Sequence, residues 1–489
     1  SLLPPSSMEA SLPEQVLQPL LNASDLSYSL EDCLKFLLET SRTDAGRSDL
    51  ASKAILPSII ALLQLLPFPS CRHYLNLSLK VLRNLCAGEA SNQDAFVDHN
   101  GSVVVSDLLD SAIGDFETVR FGLQVLANVV LFGEKRRQRD VWLRFFPERF
   151  LAIAKVRRER ETCDPLCMIL YACFDGSSEI ASQLCSNEGL NIIAETLRTS
   201  SSVGSVEDYW LKLLVSRLCV EGDCFPELFS KLYNADETTF TSEQAFLLRM
   251  VSDIANERVK EVSVPKDATY FIMGLLKQSS AHVFDFGVSG ESSELPAGST
   301  IIDVMGYSLV IIRDTCAGGS LEELKKANND SGDDTVELLL SSGLIKLLLE
   351  MLRKLEPPTT IKKALNQSSG SSSSSSSSSK PCPYRGFRRD IVSVIGNCVY
   401  RRKEVQDEIR ERDGLFLMLQ QCVTDDENPF LREWGLWCVR NLLEGNQENQ
   451  KAVAELEMQG SVDVPQLREI GLRVEIDPET ARPKLVNDT

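Results

Sequence analysis

Histidine is almost missing from this chain: among 489 residues only His73, His99 and His282 occur, and they are scattered. Ser/His and Cys/His nucleophile pairs therefore have little to draw on. Metal-ligand spacing is missing as well. Cys163 and Cys167 stand one helical turn apart and Cys219 and Cys224 lie close, yet no second Cys/His pair completes a zinc set. Cys316-Ala317-Gly318-Gly319-Ser320 lacks a following Lys-Ser/Thr, so it reads as a helix end and not as a phosphate cradle. No uninterrupted apolar run approaches the ~20 residues of a membrane span. The opening Ser1-Leu2-Leu3-Pro4-Pro5 has neither the charged nor the apolar region of a secretion signal. An excess of basic residues is also lacking: 51 Lys and Arg against 70 Asp and Glu leave a net charge of -19, which argues against a general binder of phosphate backbones. Together these absences predict a chain that is no enzyme, holds no cofactor or metal, and binds neither nucleic acid nor membrane.

Cysteine is not scarce, at 14 residues, but its placement argues against disulfides. Cys86, Cys173, Cys398 and Cys438 sit at or beside apolar positions of a recurring helix, where cysteine serves as a small buried hydrophobe. A chain this long and this rich in Leu, Ile and Val needs no staples, which predicts reduced thiols in a cytosolic or nuclear compartment.

What is present is a repeat. Val81-Leu82-Arg83-Asn84-Leu85 and Val125-Leu126-Ala127-Asn128-Val129 place their asparagines 44 residues apart. Ile169-Leu170-Tyr171-Ala172-Cys173 follows 44 later, with alanine in the asparagine position. Val394-Ile395-Gly396-Asn397-Cys398 and Cys438-Val439-Arg440-Asn441-Leu442 repeat the unit at the same spacing of 44. Gln93, Gln406 and Gln450 each lie nine residues past an asparagine, and Gly101, Gly189 and Gly414 lie 17 past the reference position. A period of about 40–47 residues is the signature of stacked helical repeats.

In order, residues 1–24 are rich in Pro and Ser and read as partly disordered. Helical periodicity runs through 25–355, with signature-type helices expected at Leu75–Cys86, Val119–Leu131, Leu166–Phe174, Trp210–Cys219, Phe246–Ala255 and Ile301–Cys316. The Trp210–Cys219 copy is one residue out of register. A Gly/Ser-rich insertion at Phe284–Ser299 reads as a mobile loop, and Leu338–Leu355 as one long apolar helix. Residues 356–383 form a linker around the serine tract Ser368–Ser379, which cannot bury enough apolar surface to order itself and is expected to separate two arrays. Two more repeats fill 384–460, and 461–489 read as an extended tail with Leu472–Ile476 strand-like. The fold class expected is an all-α solenoid.

The unit of apolar-apolar-x-Asn-apolar, a polar loop and a later Gly before a Leu-rich helix resembles the armadillo repeat, which implies a right-handed superhelix. Ile395-Gly396-Asn397, Asp413-Gly414, the run Asp426-Glu427-Asn428-Pro429-Phe430-Leu431-Arg432-Glu433-Trp434, Arg440-Asn441-Leu442 and Asn446-Gln447-Glu448-Asn449-Gln450 resemble the C-terminal domain of the ataxin-10 family. The resemblance implies a non-enzymatic scaffold in the cytosol, extending to the perinuclear region. Its family is associated with cell division, including cytokinesis, growth and survival, and acts through protein partners, with a homo-oligomer admitted.

On a helix, each signature asparagine shares a face with the residue four before it, giving Lys80/Asn84, Gln124/Asn128, Ser393/Asn397 and Trp437/Asn441. Asparagine both donates and accepts, so a stripe of Asn84, Asn128, Asn397 and Asn441 suits either the main chain of a bound peptide or a bond to the neighbouring repeat. Trp434, Trp437 and Asn441 fall on one stripe with Arg440 beside it. In armadillo-type nuclear-import receptors a Trp and an Asn four residues later form rungs for basic peptides; Trp437/Asn441 resembles one rung, and a peptide-binding transport adaptor is the alternative. The other copies lack the tryptophan, and Lys80 would repel a basic peptide. Glu134–Arg139, Lys155–Arg160 and Arg401-Arg402-Lys403 read as solvated loop charge or as contacts for an acidic partner.

Overall fold

The 44-residue spacing becomes signature helices stacked one on the next. The computed structural model describes residues 12–24, 29–131, 134–156, 160–203, 208–235, 239–258, 264–290, 293–325, 335–368, 379–456, 472–476 and 483–487. These fall into two compact units, one of residues 1–218 with 227–232 and one of 219–226 with 233–489. Each is built as an armadillo-like α-solenoid. Most of the serine tract and the first eleven residues lie outside the described residues, as do 157–159 of the expected basic cluster.

In the first unit the stacked helices are α1 (Leu30–Thr40), α2 (Arg72–Leu85), α3 (Phe116–Val130), α4 (Arg160–Gly176) and α5 (Tyr209–Val215), each packed on the one before. The apolar positions predicted from the signature are fully buried: Val81, Leu82, Leu85, Val125, Leu126 and Val129. Burying each such side chain is worth about 1.5–3 kcal/mol, so the seam between neighbours carries the stack. After α5 the backbone takes a π-helical turn at Ser216–Val220, which lodges one extra residue at the end of the Trp210–Cys219 copy.

Helices Ala90–Asp98 and Gly101–Ser111 complete the repeat after α2 and meet at Asn100, whose φ of 55° is left-handed. Lys403–Glu411 and Gly414–Leu419 meet in the same way at Asp413, with φ 54°. Asn and Asp are the side chains that tolerate this conformation best. The glycine landmark is a close approach at this corner. A Cβ at Gly101 would lie 2.4 Å from the Phe96 ring, one at Gly189 2.2 Å from the Leu184 carbonyl oxygen, and one at Gly414 2.7 Å from Ile409 Cγ2.

The basic stretch Glu134–Arg139 is not a loop. Helix Lys135–Phe145 takes up most of it, and Arg137 is buried, giving Nη1 to Gln93 Oε1 at 2.6 Å and Nε to Asp94 at 2.8 Å. Charges drawn as solvated in the sequence are here tied to the preceding repeat. Arg402 likewise faces Glu337 at 3.5 Å.

The second unit contains α6 (Ser242–Glu257), α7 (Lys266–Phe286), α8 (Thr300–Lys325), α9 (Phe387–Val399) and α10 (Leu431–Leu443), with α6 and α7 on α8, α8 on α9, and α9 on α10. Thus α8 and α9, on either side of the serine tract in sequence, pack directly on each other. Arg313 on α8 pairs with buried Asp390 on α9 at 3.1 Å, and Tyr384 donates its hydroxyl to the same carboxylate at 3.1 Å. The tract therefore interrupts the chain without dividing the stack. The insertion expected to be mobile is anchored: Ala297 is fully buried and gives its N–H to Asp303 Oδ1 at 2.5 Å, and Ser293 accepts from the Arg385 N–H. The expected helix Leu338–Leu355 is two helices, Thr335–Ser341 and Leu344–Lys354, broken at Gly343 with φ 82°. Beyond the repeats, Leu472–Ile476 pairs antiparallel with Pro483–Asn487 as a hairpin, Leu472 opposite Asn487.

Burial drives the thiols of Cys86, Cys173 and Cys438 far above the usual range. A thiol-labelling reagent applied to the folded protein should leave these three unmodified until denaturant is added. Gly414→Ala should destabilise the second unit by about 1–3 kcal/mol through overpacking against Ile409, read as a lower thermal or urea midpoint.

Candidate partner-binding faces on the signature helices

The signature asparagines are placed by the stacking just described, in the last turn of each helix. Asn128 Nδ2 donates to the main-chain oxygen of Arg83 at 2.9 Å, and Asn441 Nδ2 to that of Gly396 at 3.1 Å. Both acceptors stand immediately before the asparagine of the preceding repeat. Asn84 reaches back in the same direction, to Ser41 Oγ at 3.2 Å at the end of α1. Asn397 is half-buried in the equivalent position. At Asn84, Asn128 and Asn441 the amide therefore bonds the neighbouring repeat, and Asn441 is only 1% exposed. These three amides tie rung to rung, and Asn441 is enclosed.

The glutamines nine residues on bind in the opposite direction. Gln93 Nε2 donates to Cys86 O and to Asn128 O, both at 2.9 Å. Gln406 Nε2 donates to Val399 O at 3.2 Å and to Asn441 O at 2.8 Å. In both cases the second acceptor is the main chain of the next repeat's asparagine. Gln450, on helix Gln447–Leu456, makes the first of these bonds, to Leu443 O at 2.7 Å, and is exposed. The spacing of glutamine from asparagine was legible in the sequence; its purpose was not, because the second carbonyl arrives only when the repeats stack.

The positions four before the asparagines diverge. Ser393 is buried and donates to Asp390 O at 2.8 Å; Gln124 is half-buried and accepts from Arg83 Nη1 at 3.0 Å; Lys80 is half-buried. Trp437 alone of the four is an exposed aromatic, 41% accessible. Its indole lies over Gly396, where an added Cβ would meet Cδ1 at 3.4 Å, and Arg440 stacks on the ring at 5.5 Å. Leu436 and Phe430 are exposed nearby in sequence, whereas Trp434 is half-buried. Sequence reasoning missed Leu436 and Phe430, since an apolar residue on a helix gives no sign by itself of facing water. Among the described residues, no group of three His, Cys, Asp or Glu is placed to share a metal ion.

Comparison with known proteins joins this geometry to a family. Residues 387–486, which hold α9, α10 and the strand pair, match the spinocerebellar ataxia type 10 protein domain. Over 438 residues the chain is 26% identical to Ataxin-10 of Bos taurus, covering 84% of this chain and 82% of that protein. These likenesses support the ataxin-10 family, with the C-terminal residues carrying its domain. Identity to Ataxin-10 of Homo sapiens is 39% over 104 residues, 21% of this chain and 22% of that protein. The Ataxin-10 homolog of Dictyostelium discoideum is 37% identical over 90 residues, 18% of this chain and 15% of that protein.

Among solved structures, similarity extends to a designed armadillo repeat protein in complex with the peptide (KR)4, at 15% identity and TM-score 0.35, covering 50% of this chain and 92% of that one. A structure titled for a phosphorylation switch controlling the interaction between cadherin and beta-catenin gives TM-score 0.37 at 11% identity, covering 90% of this chain and 78% of that one.

Gln406→Ala removes the donor from two main-chain oxygens, and should cost about 2–3 kcal/mol. Gln450→Ala, at an exposed site with one such bond, should cost less than about 1 kcal/mol. Urea unfolding of the two variants side by side measures the difference.

Proposed function

We propose that this chain is a non-catalytic scaffold that holds protein partners on the outward face of its signature helices, with Trp437 and Arg440 as anchors in the last repeat. The observation that carries the reading is the exposed indole of Trp437, fixed over Gly396 and stacked by a guanidinium on a helix clamped to its neighbour. Aromatic and arginine side chains on a rigid support supply most of the binding energy in protein interfaces, and a pre-ordered indole loses little entropy on contact. The reading carries over from the ataxin-10 resemblance a site of action in the cytosol and perinuclear region and a part in cytokinesis, growth and survival. Self-association is one form it would take. The transport-adaptor alternative requires free asparagine rungs, and the amides of Asn84, Asn128 and Asn441 are engaged with neighbouring repeats.

Trp437→Ala in the full chain should weaken capture of a partner by about tenfold or more, with the helical circular-dichroism signal and the thermal midpoint kept. Quantitative co-purification against the unsubstituted chain measures this. A collapsed fold in Trp437→Ala would return the indole to a purely structural part.

A further inference from the structure

The seam of the second unit ends at α10 with one side uncovered. α9 lies between α8 and α10, and Val392, Ile395 and Val399 on it are fully buried. Counted 44 residues on, the same positions of α10 are Leu436, 46% accessible, and Val439 and Leu443, both half-buried. Among the described residues no helix follows Gln447–Leu456, so no further signature helix packs on this face.

Gln450 marks the same opening from the adjoining helix. Gln93 and Gln406 each donate once to the carbonyl seven residues before and once to the main chain of the next repeat's asparagine, in the last turn of a helix. Gln450 makes the first of these bonds, to Leu443 O at 2.7 Å, and its amide is exposed. Its NH2 group carries a second N–H, which in the other two copies meets the neighbouring helix. An apolar stripe and a last-turn donor at these places are suited to a helix. Arg440 decides its charge. It stands where α9 has the buried Gly396, on which Trp437 and Cys438 pack. A guanidinium in that seat takes a carboxylate from an arriving helix in a charge-assisted pair. A second copy of this chain would present its own Arg440 on the matching face and add a like net charge of -19, so a helix of a different protein is favoured.

We propose that a partner protein docks an amphipathic helix on α10 as the next rung of the stack. Its apolar stripe lies on Leu436, Val439 and Leu443, an Asp or Glu meets Arg440, and a last-turn carbonyl oxygen accepts from Gln450. This rests on the reading above, in which Trp437 and Arg440 anchor a partner, and says what that partner brings.

The test is fluorescence-anisotropy titration of the full chain with a labelled, stapled model helix that repeats Leu-Glu-Ala-Leu-Leu-Glu-Glu, and with a counterpart in which Lys replaces Glu. The Leu/Glu helix should bind, and the Leu/Lys helix should bind about tenfold more weakly, which is about 1.4 kcal/mol. Gln450→Ala should weaken Leu/Glu binding about fivefold through the loss of one hydrogen bond, with circular dichroism unchanged. Gln450→Glu, which keeps the size but exchanges the amide donor for an acceptor, should do the same. Leu436→Glu should weaken it by about tenfold or more. Lys346→Gln, exposed on another helix of the unit, should leave it unchanged. Absence of Leu/Glu binding, full-strength binding by both Gln450 variants, or a sedimenting dimer that the same substitutions dissolve would overturn the proposal. Lost partner capture in Trp437→Ala beside unchanged helix binding in the Gln450 variants would remove the helix and keep the anchor. Partner capture retained by Trp437→Ala would remove the anchor, and this proposal with it.

Discussion

Stacking depends on main-chain carbonyls at the ends of the signature helices finding donors in the adjacent repeat. A helix leaves its last carbonyl oxygens without intrahelical partners, and in a solenoid those ends are enclosed by neighbours. Asn128 and Asn441 reach back to the main chain of the repeat before, and Gln93 and Gln406 reach forward to that of the repeat after. Each bond is worth about 1 kcal/mol net, but a buried carbonyl without it costs more. The apolar seam supplies the energy of association; the amides fix how far each repeat is turned relative to the last, because a side-chain amide bonds over a narrow range of distance and angle.

That use of the amides decides what the outer face can offer. Where the polar stripe is taken up by its neighbours, the other outward side chains vary from copy to copy. At the position four before the asparagine these are a lysine, a glutamine, a buried serine and a tryptophan. Of these the tryptophan, on α10, is exposed, its indole stacked under Arg440.

Corners are the other constraint. The second and third helices of a repeat pass so close that Gly101, Gly189 and Gly414 stand where a Cβ would meet the preceding helix. At two of these corners Asn100 and Asp413 turn the chain through left-handed φ. These residues act through backbone geometry. They set the angle at which the long seam between signature helices is presented, and so the spacing of outward side chains.

The sequence by itself determined the repeat, its 44-residue period, the apolar seam and the family of the C-terminal domain, because these depend on side-chain order along one helix and on local turn chemistry. It also marked the asparagines, glutamines and glycines as recurrent. Only the tertiary structure decided what those residues touch. The amide of Asn441 could have faced a peptide until Gly396 O was placed 3.1 Å from it, and the charge of Arg137 could have been solvated until Gln93 and Asp94 closed on it. The serine tract read as a boundary until Arg313 and Asp390, 77 residues apart in the chain, were found paired. A side chain's partner in a solenoid lies a whole repeat or more away, and periodicity records the position of that side chain but not the group that will meet it.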